Sequence, residues 1–405
     1  MPNPLEEKSV VLGVSGSIAA YKAADLASKL IQAGALVDVV MTASAVKFVA
    51  PLTFQSITHR PAVADIFDPK SAMGIDHIAI AERADVVVVA PATANTIAKL
   101  AWGLADDAVS TTVLATRAPV IVCPAMDGNM YENPATQENL DKLKSRGITI
   151  AGPARGRLAS GLSGMGRLLE TPEILGHVRL ILGREGDLAG RTIVVSAGGT
   201  QEAIDPVRYI SNRSSGKMGY AIAEAARDRG ARAVIVAAPN ALPDPVGVKV
   251  VDVSTALEMH DAIAEDVKDA DALVMAAAVA DWQPTEVAVQ KLKKGARSWT
   301  LELEPTPDIL SSTGGDGLVK VGFAAESEDL ETNARAKLHS KRLHLIAAND
   351  ITAEGSGFAS DTNRVVLFDS DGRREDLGLL PKYDAGNKIL DRVAALLEKR
   401  PLRSS

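Results

Sequence analysis

The chain opens the same way twice. Residues 8–41, KSVVLGVSGSIAAYKAADLASKLIQAGALVDVVM, pass from an apolar β-branched run through glycines into a helical pattern and then a second apolar run. Residues 191–238 repeat that order. In the first copy the run 10–14 leads to Gly16 and Ser17, then to a helix carrying Leu26, Leu30 and Ile31 on one face. Gly34 stops that helix, and 37–41 is the second strand. In the second copy the strand 192–195 leads to Gly198 and Gly199, a polar loop, and Ser214, Ser215 and Gly216. An alanine-rich helix with Ile222 and Ala226 follows, then a strand at 233–238. Helical spacing between two buried-strand runs makes a βαβ unit, and such a unit holds its strands parallel. A later echo extends the repeat: ADVVVVAPATAN at 84–95 is matched by ADALVMAAAVAD at 270–281. The expectation is an α/β chain of two doubly wound, Rossmann-like parallel-sheet domains, 1–185 and 186–405, rather than one large sheet.

The totals fit that reading. A chain of 405 residues is long enough for two cores, and abundant glycine with only six phenylalanines suits tightly packed parallel sheets. Net charge is −7 with both signs interspersed and no basic tail, so nucleic acid is not an expected partner. No apolar run reaches membrane-spanning length, and MPNPLEEKS lacks a signal pattern, so no membrane association and a cytoplasmic location are expected. The single cysteine, Cys123, excludes an internal disulfide and a cysteine-based metal site.

Further strands are expected at 85–90, 120–123 and 343–347, and helices from Pro91–Asn95 through Leu100, over 172–183 and over 385–399. Residues 365–368 and the segment from Arg373 flank Asp369, Ser370, Asp371 and Gly372, which reads as a hairpin with an Asp-Gly turn. Residues 152–167, GPARGRLASGLSGMGR, have no apolar periodicity and read as a mobile surface loop, either a linker or a flap over a site.

The loop before the second unit's helix points to phosphate. A helix N-terminus at the carboxyl edge of a parallel sheet presents N–H groups to an anion, and serines with Lys217 beside them suit a phosphoryl group. Neither common scheme applies. A P-loop would need glycine at Ser211 and a hydroxyl at Met218. A dinucleotide fingerprint would need an acid after the second strand, where Ala237, Ala238, Pro239 and Asn240 stand. In the first unit Thr42 and Ser44 occupy the matching place, which suits a phosphate or sugar alcohol, or a plain helix cap. Taken alone, His77 in GIDHIAIAERAD is a surface or capping residue, and Lys291, Leu292, Lys293 and Lys294 are a solvated run. Lys337 and Lys341 share a helix face at i and i+4 and can converge on one triphosphate, or be ordinary surface lysines.

The run DPVRYISNRSSGKMG, residues 205–219, closely resembles the ligase half of the bifunctional phosphopantothenoylcysteine decarboxylase/phosphopantothenate–cysteine ligase family of coenzyme A synthesis. The similarity extends over 9–397 and is most specific at 205–219, 275–294 and 321–350. It implies a flavodoxin-like decarboxylase domain, then a Rossmann-like ligase domain with a β-hairpin. For the first domain it implies FMN at Gly16, Ser17, Thr42, Ser44, Ala92, Thr93 and Asn95, with His77 handling a proton during oxidation of the cysteine moiety. Met126 and Met130 fall in its substrate motif. That motif's asparagine is Asp127 here, and the flap cysteine that donates the last proton is Ser160. A serine hydroxyl is a much weaker acid than a thiol, although loss of CO₂ does not require the thiol.

For the second domain the resemblance assigns Asn212 to an acyl-cytidylate, where an amide can stabilise charge on the activated carbonyl. Arg208, Ser214, Ser215 and Lys217 hold the phosphorylated substrate, and Lys291 is the lid lysine that approaches the nucleotide. CTP is expected at Met275, Ala276, Ala277 and Asp281, at Pro307, Asp308, Ile309 and Leu310, and at Phe323, Lys337 and Lys341. Thr306 replaces the asparagine before that proline. The resemblance further implies 4′-phosphopantothenate, L-cysteine and CTP as substrates, with Mg²⁺ accompanying CTP through ligands the sequence does not identify. It also implies a homo-oligomer of ligase dimers and decarboxylase trimers, a dodecamer where both operate. Two rivals stand beside it: a ligase whose first domain only binds flavin and assembles the oligomer, and a nicotinamide-dependent dehydrogenase. The missing acid after each second strand counts against the dehydrogenase.

Overall fold

The computed structural model describes residues 3–65, 76–158, 161, 163–293, 299–314, 317–326, 329–350 and 360–398. The chain separates into two compact units, one from Asn3 to Gly183 and one from Arg184 onward. Both are α/β and doubly wound, as the repeat predicts.

The first unit begins β1 (Ser9–Val14), α1 (Ala20–Gln32), β2 (Leu36–Met41), α2 (Pro51–Thr58) and α3 (Asp76–Arg83). It continues β3 (Val86–Ala92), α4 (Ala94–Trp102), α5 (Ala108–Ala115), β4 (Val120–Pro124), α6 (Gly128–Glu132) and α7 (Pro134–Ser145). It closes with β5 (Thr149–Ile150), β6 (Ala154–Arg157), β7 (Ser163–Arg167) and α8 (Thr171–Leu182). Among the described residues its sheet runs β2-β1-β3-β4-β5, all parallel. β3 is VVVVAPA and is buried at every position, as a central parallel strand covered on both faces must be. The α1 face that meets it carries Ala20, Ala23, Leu26, Ala27 and Leu30, spaced at the helical period.

The second unit begins β8 (Thr192–Ala197), β9 (Gln201–Ala203), β10 (Tyr209–Ser211), α9 (Lys217–Asp228), β11 (Arg232–Ala237), β12 (Lys249–Asp252) and α10 (Ala256–Asp266). Then come β13 (Ala272–Met275), β14 (Trp282–Pro284), β15 (Leu303–Pro305), α11 (Ile309–Ser312), β16 (Val319–Glu326) and α12 (Leu330–Ser340). It ends with β17 (Leu345–Asp350), β18 (Thr362–Asp369), β19 (Arg374–Pro381) and α13 (Lys382–Glu398). The sheet order is β12-β11-β8-β13-β16-β17-β18-β19, with β18 and β19 antiparallel. The hairpin turns at Asp369–Gly372, where Gly372 takes φ +87° and donates its N–H to the Asp369 carbonyl. One face of the sheet packs against α9 and α13, the other against α10, α11 and α12.

The repeated Ala-Asp pair has a physical cause. Asp85 reaches from the start of β3 to the first N–H of β1, accepting from Ser9 N at 2.8 Å, and pairs with Lys8 at 3.0 Å. Asp271 does the same at the start of β13, accepting from Thr192 N at 2.8 Å and pairing with Arg191 at 3.0 Å. In each unit one carboxylate caps the amino end of the strand beside its own. The second pair is largely buried, with side chains 11% and 7% exposed. Asp271→Ala would remove the carboxylate that neutralises the buried Arg191 guanidinium, and the expected cost is about 3 kcal/mol, read as a lowered urea midpoint at unchanged m.

Two expectations change. Residues 152–167 are not a structureless loop: β6 and β7 pair antiparallel, Gly156 opposite Gly164 and Arg157 opposite Ser163. Backbone pairing needs no apolar alternation, so periodicity missed it. The last helix starts at Lys382, three residues before the expected 385, because Pro381 ends β19 and the first turn carries polar residues. The ribbons β9–β10 and β14–β15, three residues per strand, are too short to leave a pattern.

Candidate functional site

In the second unit β8 and β13 are neighbours whose connections leave in opposite directions, toward β11 and toward β16. A crevice opens at such a reversal, outside the carboxyl ends of the strands. Here it is a cavity of about 650 Å³. Glycine lets the loops beside it close on each other. A Cβ on Gly199 would stand 2.4 Å from the Asn212 carbonyl oxygen, and Gly198 takes φ +83°. The turn after β13 is zipped to the end of β8. Ala277 N donates to Ser196 Oγ at 3.0 Å, Ala278 N to the Gly198 carbonyl at 2.8 Å, and Ala280 N to Thr200 Oγ1 at 2.9 Å. Asn212 Nδ2 then donates to the Val279 carbonyl at 2.8 Å, which places this amide over the turn.

The cavity gathers most of the residues expected in the ligase half. Ser214, Ser215 and Lys217 line it at the start of α9; Met275, Ala276, Ala277 and Asp281 line it after β13. Pro307, Asp308, Ile309 and Leu310 line it at α11, with Phe323 from β16 and Lys337 and Lys341 from α12 and its cap. Lys337 Nζ donates to the Phe323 carbonyl at 2.8 Å, and Lys341 pairs with Asp308. Burial alone would push the Asp308 carboxyl up, but Lys341 and the Ser311 hydroxyl and N–H outweigh it and hold it low. Thr306 Oγ1 donates to the Ala280 carbonyl at 2.6 Å, which ties α11's lead-in to the turn.

Arg208 and Lys291 are not among the lining residues. Arg208 instead grips Asp205, its Nε and Nη2 at 2.9 and 2.6 Å, and its Nη2 also donates to the Leu292 carbonyl at 2.6 Å. Asp205 also accepts from three backbone groups: the N–H groups of Val207 and Arg208 at one oxygen, and Leu292 N at the other. Burial would raise this carboxyl, but those donors and the guanidinium hold it well below the usual carboxylate range. The base of the lysine-rich segment is thereby tied to the loop that carries Asn212. Lysine 294, the last of that run, lies outside the described residues. Asn349, Asn363 and Lys382 are among the lining residues that were not anticipated. Lys382 escaped because its helix begins earlier than the apolar pattern suggests.

In the first unit the reversal falls between β1 and β3, the order β2-β1-β3-β4-β5 being that of flavodoxin-like sheets. Gly16, Ser17, Thr42, Ser44, Ala92, Thr93 and Asn95 all follow or end strands at this edge. A Cβ on Gly16 would stand 2.4 Å from Ser44 Cβ, so glycine lets the two loops close on each other. Ser15 Oγ donates to the Pro91 carbonyl at 2.7 Å and accepts from Thr93 N at 3.0 Å, bolting the β1 loop to the β3 loop. Thr93 caps α4, and Ser17 Oγ accepts from Ala19 N ahead of α1. Hydroxyls, an amide and helix N-termini, with no carboxylate in this set, form a donor field that fits a flavin mononucleotide's phosphate and polyol chain.

Asp127 caps α6, accepting from Asn129 N at 3.1 Å, a task aspartate and asparagine perform equally. Met126 N donates to the Gly166 carbonyl at 2.9 Å, and Gly166, at φ +135°, lies so close that a Cβ would meet the Met126 oxygen. The β6–β7 hairpin is thus docked on the stretch that carries Met126 and Asp127. Met126 is half-buried and Met130 is 50% exposed. His77 belongs to the backbone of α3, but its side chain, like all of Ser160, lies outside the described residues.

The comparisons with known proteins agree with this division. A model described as "Flavoprotein" matches residues 1–182, and one for the DNA/pantothenate metabolism flavoprotein C-terminal domain matches 188–397. Fold and site thus define a flavoprotein domain joined to a pantothenate-metabolism domain. The coenzyme A biosynthesis bifunctional protein CoaBC of Bacillus subtilis (strain 168) is 44% identical over 405 residues, 99% of this chain and 100% of the relative. Among solved structures, the C-terminal domain of a CoaBC protein is 38% identical at TM-score 0.46, covering 53% of this chain and 100% of that one. A Cys-to-Ser mutant of a PPC decarboxylase complexed with pantothenoylaminoethenethiol is 34% identical at TM-score 0.40, covering 43% and 98%. The chain belongs to the family of bifunctional coenzyme A biosynthesis proteins.

Proposed function

We propose that this chain makes 4′-phosphopantetheine in two steps, one per unit. The second unit joins cysteine to 4′-phosphopantothenate with CTP, and the first decarboxylates the product. The alternative of a ligase with a purely assembling flavin domain is not favoured, because the relatives matched over nearly the whole chain are named as bifunctional. The observation that carries the ligase reading is the cavity at the β8/β13 reversal, where three separate stretches of sequence, 212–219, 275–281 and 306–310, line one space.

In this reading the substrate carboxylate attacks the α-phosphorus of CTP, pyrophosphate leaves, and an acyl-cytidylate forms. The cysteine amine then attacks the acyl carbon and CMP leaves. Lys337 and Lys341 neutralise the triphosphate, Asp281 meets the ribose or the metal, and Asn212 donates to the acyl oxygen. Arg208 acts through the lid segment. Mg²⁺ is taken to arrive as its CTP complex, the cation bound chiefly through the phosphates.

In the first unit FMN, when bound, supplies the oxidant for the product's thiol and returns the hydride after CO₂ is lost. Gly16, Ser17, Thr42, Ser44, Ala92, Thr93 and Asn95 hold it; Met126, Asp127 and Met130 position the substrate; His77 moves the proton; and Ser160 occupies the place of the final donor. We infer a cytoplasmic homo-oligomer of ligase dimers and decarboxylase trimers. No helix among the described residues is long and apolar enough to cross a membrane.

The test is mass spectrometry of the product after incubating FMN-loaded protein with 4′-phosphopantothenate, cysteine, CTP and Mg²⁺. The expected product is 4′-phosphopantetheine. A species two hydrogens lighter would place the defect at Ser160. Uncleaved phosphopantothenoylcysteine would sink the decarboxylase assignment, and the absence of any adduct would sink the ligase assignment.

A further inference from the structure

A strand inside a parallel sheet, covered on both faces, is expected to be apolar along its length. β16 lies between β13 and β17, and its run VKVGFAAE breaks that pattern at the second residue, Lys320. Val319 and Val321 turn to the face under α9 and α13, so strand alternation sends Lys320 to the face under α11 and α12. Lys320 is half-buried, and its ammonium donates to three backbone carbonyls: Leu310 at 3.0 Å, Thr313 at 3.2 Å and Lys341 at 3.2 Å. Three is the full donor count of an ammonium. Burial lowers its pKa below the usual lysine value, Arg342 lowers it further, and Asp308 only partly offsets them. A charge placed there costs desolvation that an apolar side chain of the same length would not incur, so its contacts need a reason beyond filling space.

The three carbonyls close the ends of two helices that line the cavity. α11 has only four residues, too few to hold itself, and Thr313 is its C-cap. Lys341 is the C-cap of α12, and the last carbonyls of a helix have no partner within it. One ammonium serves both ends. The two helices are also joined at the cavity: Asp308 caps α11, accepting from Ser311 N at 3.1 Å, and pairs with the Lys341 ammonium. Lys320 thus holds the backbone of Lys341 and the far end of α11, while Asp308 holds the Lys341 side chain from the near end. Pro307, Asp308, Ile309, Leu310 and Lys341 line the cavity, and Lys320 does not. Building on the ligase reading above, we propose that Lys320 is a positioning residue for the nucleotide: it fixes α11 against Lys341, and so the affinity for CTP, without touching CTP itself.

The experiment uses the full chain with Mg²⁺. Calorimetry gives Kd for CTP alone, and steady-state ligation gives KM for CTP, for 4′-phosphopantothenate and for cysteine. Lys320→Met should raise Kd and KM for CTP about 10-fold, the effect of losing one charge-assisted contact. KM for 4′-phosphopantothenate and for cysteine should stay within about twofold, as should decarboxylation of supplied phosphopantothenoylcysteine. Lys320→Arg, which keeps the charge and the donors, should return Kd for CTP to within about threefold of wild type. A Kd for CTP unchanged in Lys320→Met would overturn the assignment. So would equal rises in KM for all three substrates, the mark of a merely structural role. If Lys320→Met does not fold, Lys320→Gln, which keeps two donors on a shorter stem, carries the same comparison. A wild-type chain that binds CTP and ligates, but whose variants fail these comparisons, refutes the positioning role alone. A wild-type chain that does neither refutes the ligase reading and the positioning role with it.

Discussion

Asn212→Ala should slow ligation by about 10²- to 10³-fold, the effect of removing one preorganised donor from a developing oxyanion. An amide NH₂ carries two donors. One is used on the Val279 carbonyl at 2.8 Å, which fixes the side chain over the turn after β13. The other can meet the acyl oxygen as charge builds there. Because the backbone of Asn212 is held against Gly199, the donor is oriented before substrate arrives. Release of CMP and appearance of phosphopantothenoylcysteine in a single turnover are the measurement, and decarboxylation of supplied phosphopantothenoylcysteine by the same variant is the control. A ligation rate within threefold of wild type would remove Asn212 from the chemistry.

Asp205→Ala should be the second large loss, although Asp205 is not among the cavity-lining residues. Its carboxylate is buried and holds the guanidinium of Arg208 and the N–H groups of Val207, Arg208 and Leu292. Removing it frees Leu292 and releases the base of the lysine segment. A displacement of about 1 Å in a positioning group is enough for a loss on the order of 10²-fold in kcat. The effect should fall on kcat for ligation more than on binding of 4′-phosphopantothenate, and Asp205→Asn should recover only part of it. The pH dependence has a definite sign. The folded-state pKa is depressed, so the stabilisation is present above the ordinary carboxylate value of about 3.9 and is lost only as pH falls toward the lower folded value. Protection of the Leu292 amide against hydrogen exchange should therefore persist through pH 5 in the wild type and be absent at every pH in Asp205→Ala. Equal protection in the two proteins would show that the tether does not hold the segment.

Much of the fold was legible because the signals were local. β-branched runs, helical spacing and stop glycines fall within a dozen residues of one another, and their repetition marked two sheets. The Asp369–Gly372 turn announced its hairpin by composition alone, since Gly372 needs the positive φ it adopts. Ribbons of three residues and the glycine-rich β6–β7 hairpin left no such trace, because backbone pairing does not depend on which side chains alternate.

The ligase site divides the same way. Asn212, Ser214, Ser215 and Lys217 were legible because they lie in one run before one helix, and they do line the cavity. Asp308 and Lys341 stand 33 residues apart, and their pairing across the cavity is a consequence of α11 and α12 packing on one sheet face.

By itself, the sequence determined the two parallel sheets, their carboxyl edges and the glycines that let loops approach there, because each depends on local sterics and periodicity. The tertiary structure decided which charges meet. Arg208, grouped with the substrate residues by its place in the motif, turns instead to Asp205 and Leu292. Lys382, unmarked by any motif, arrives beside Lys217 because α9 and α13 pack together and both begin at the same cavity. Such encounters between residues as much as 165 positions apart are set by strand order and helix packing, which no stretch of the chain encodes alone.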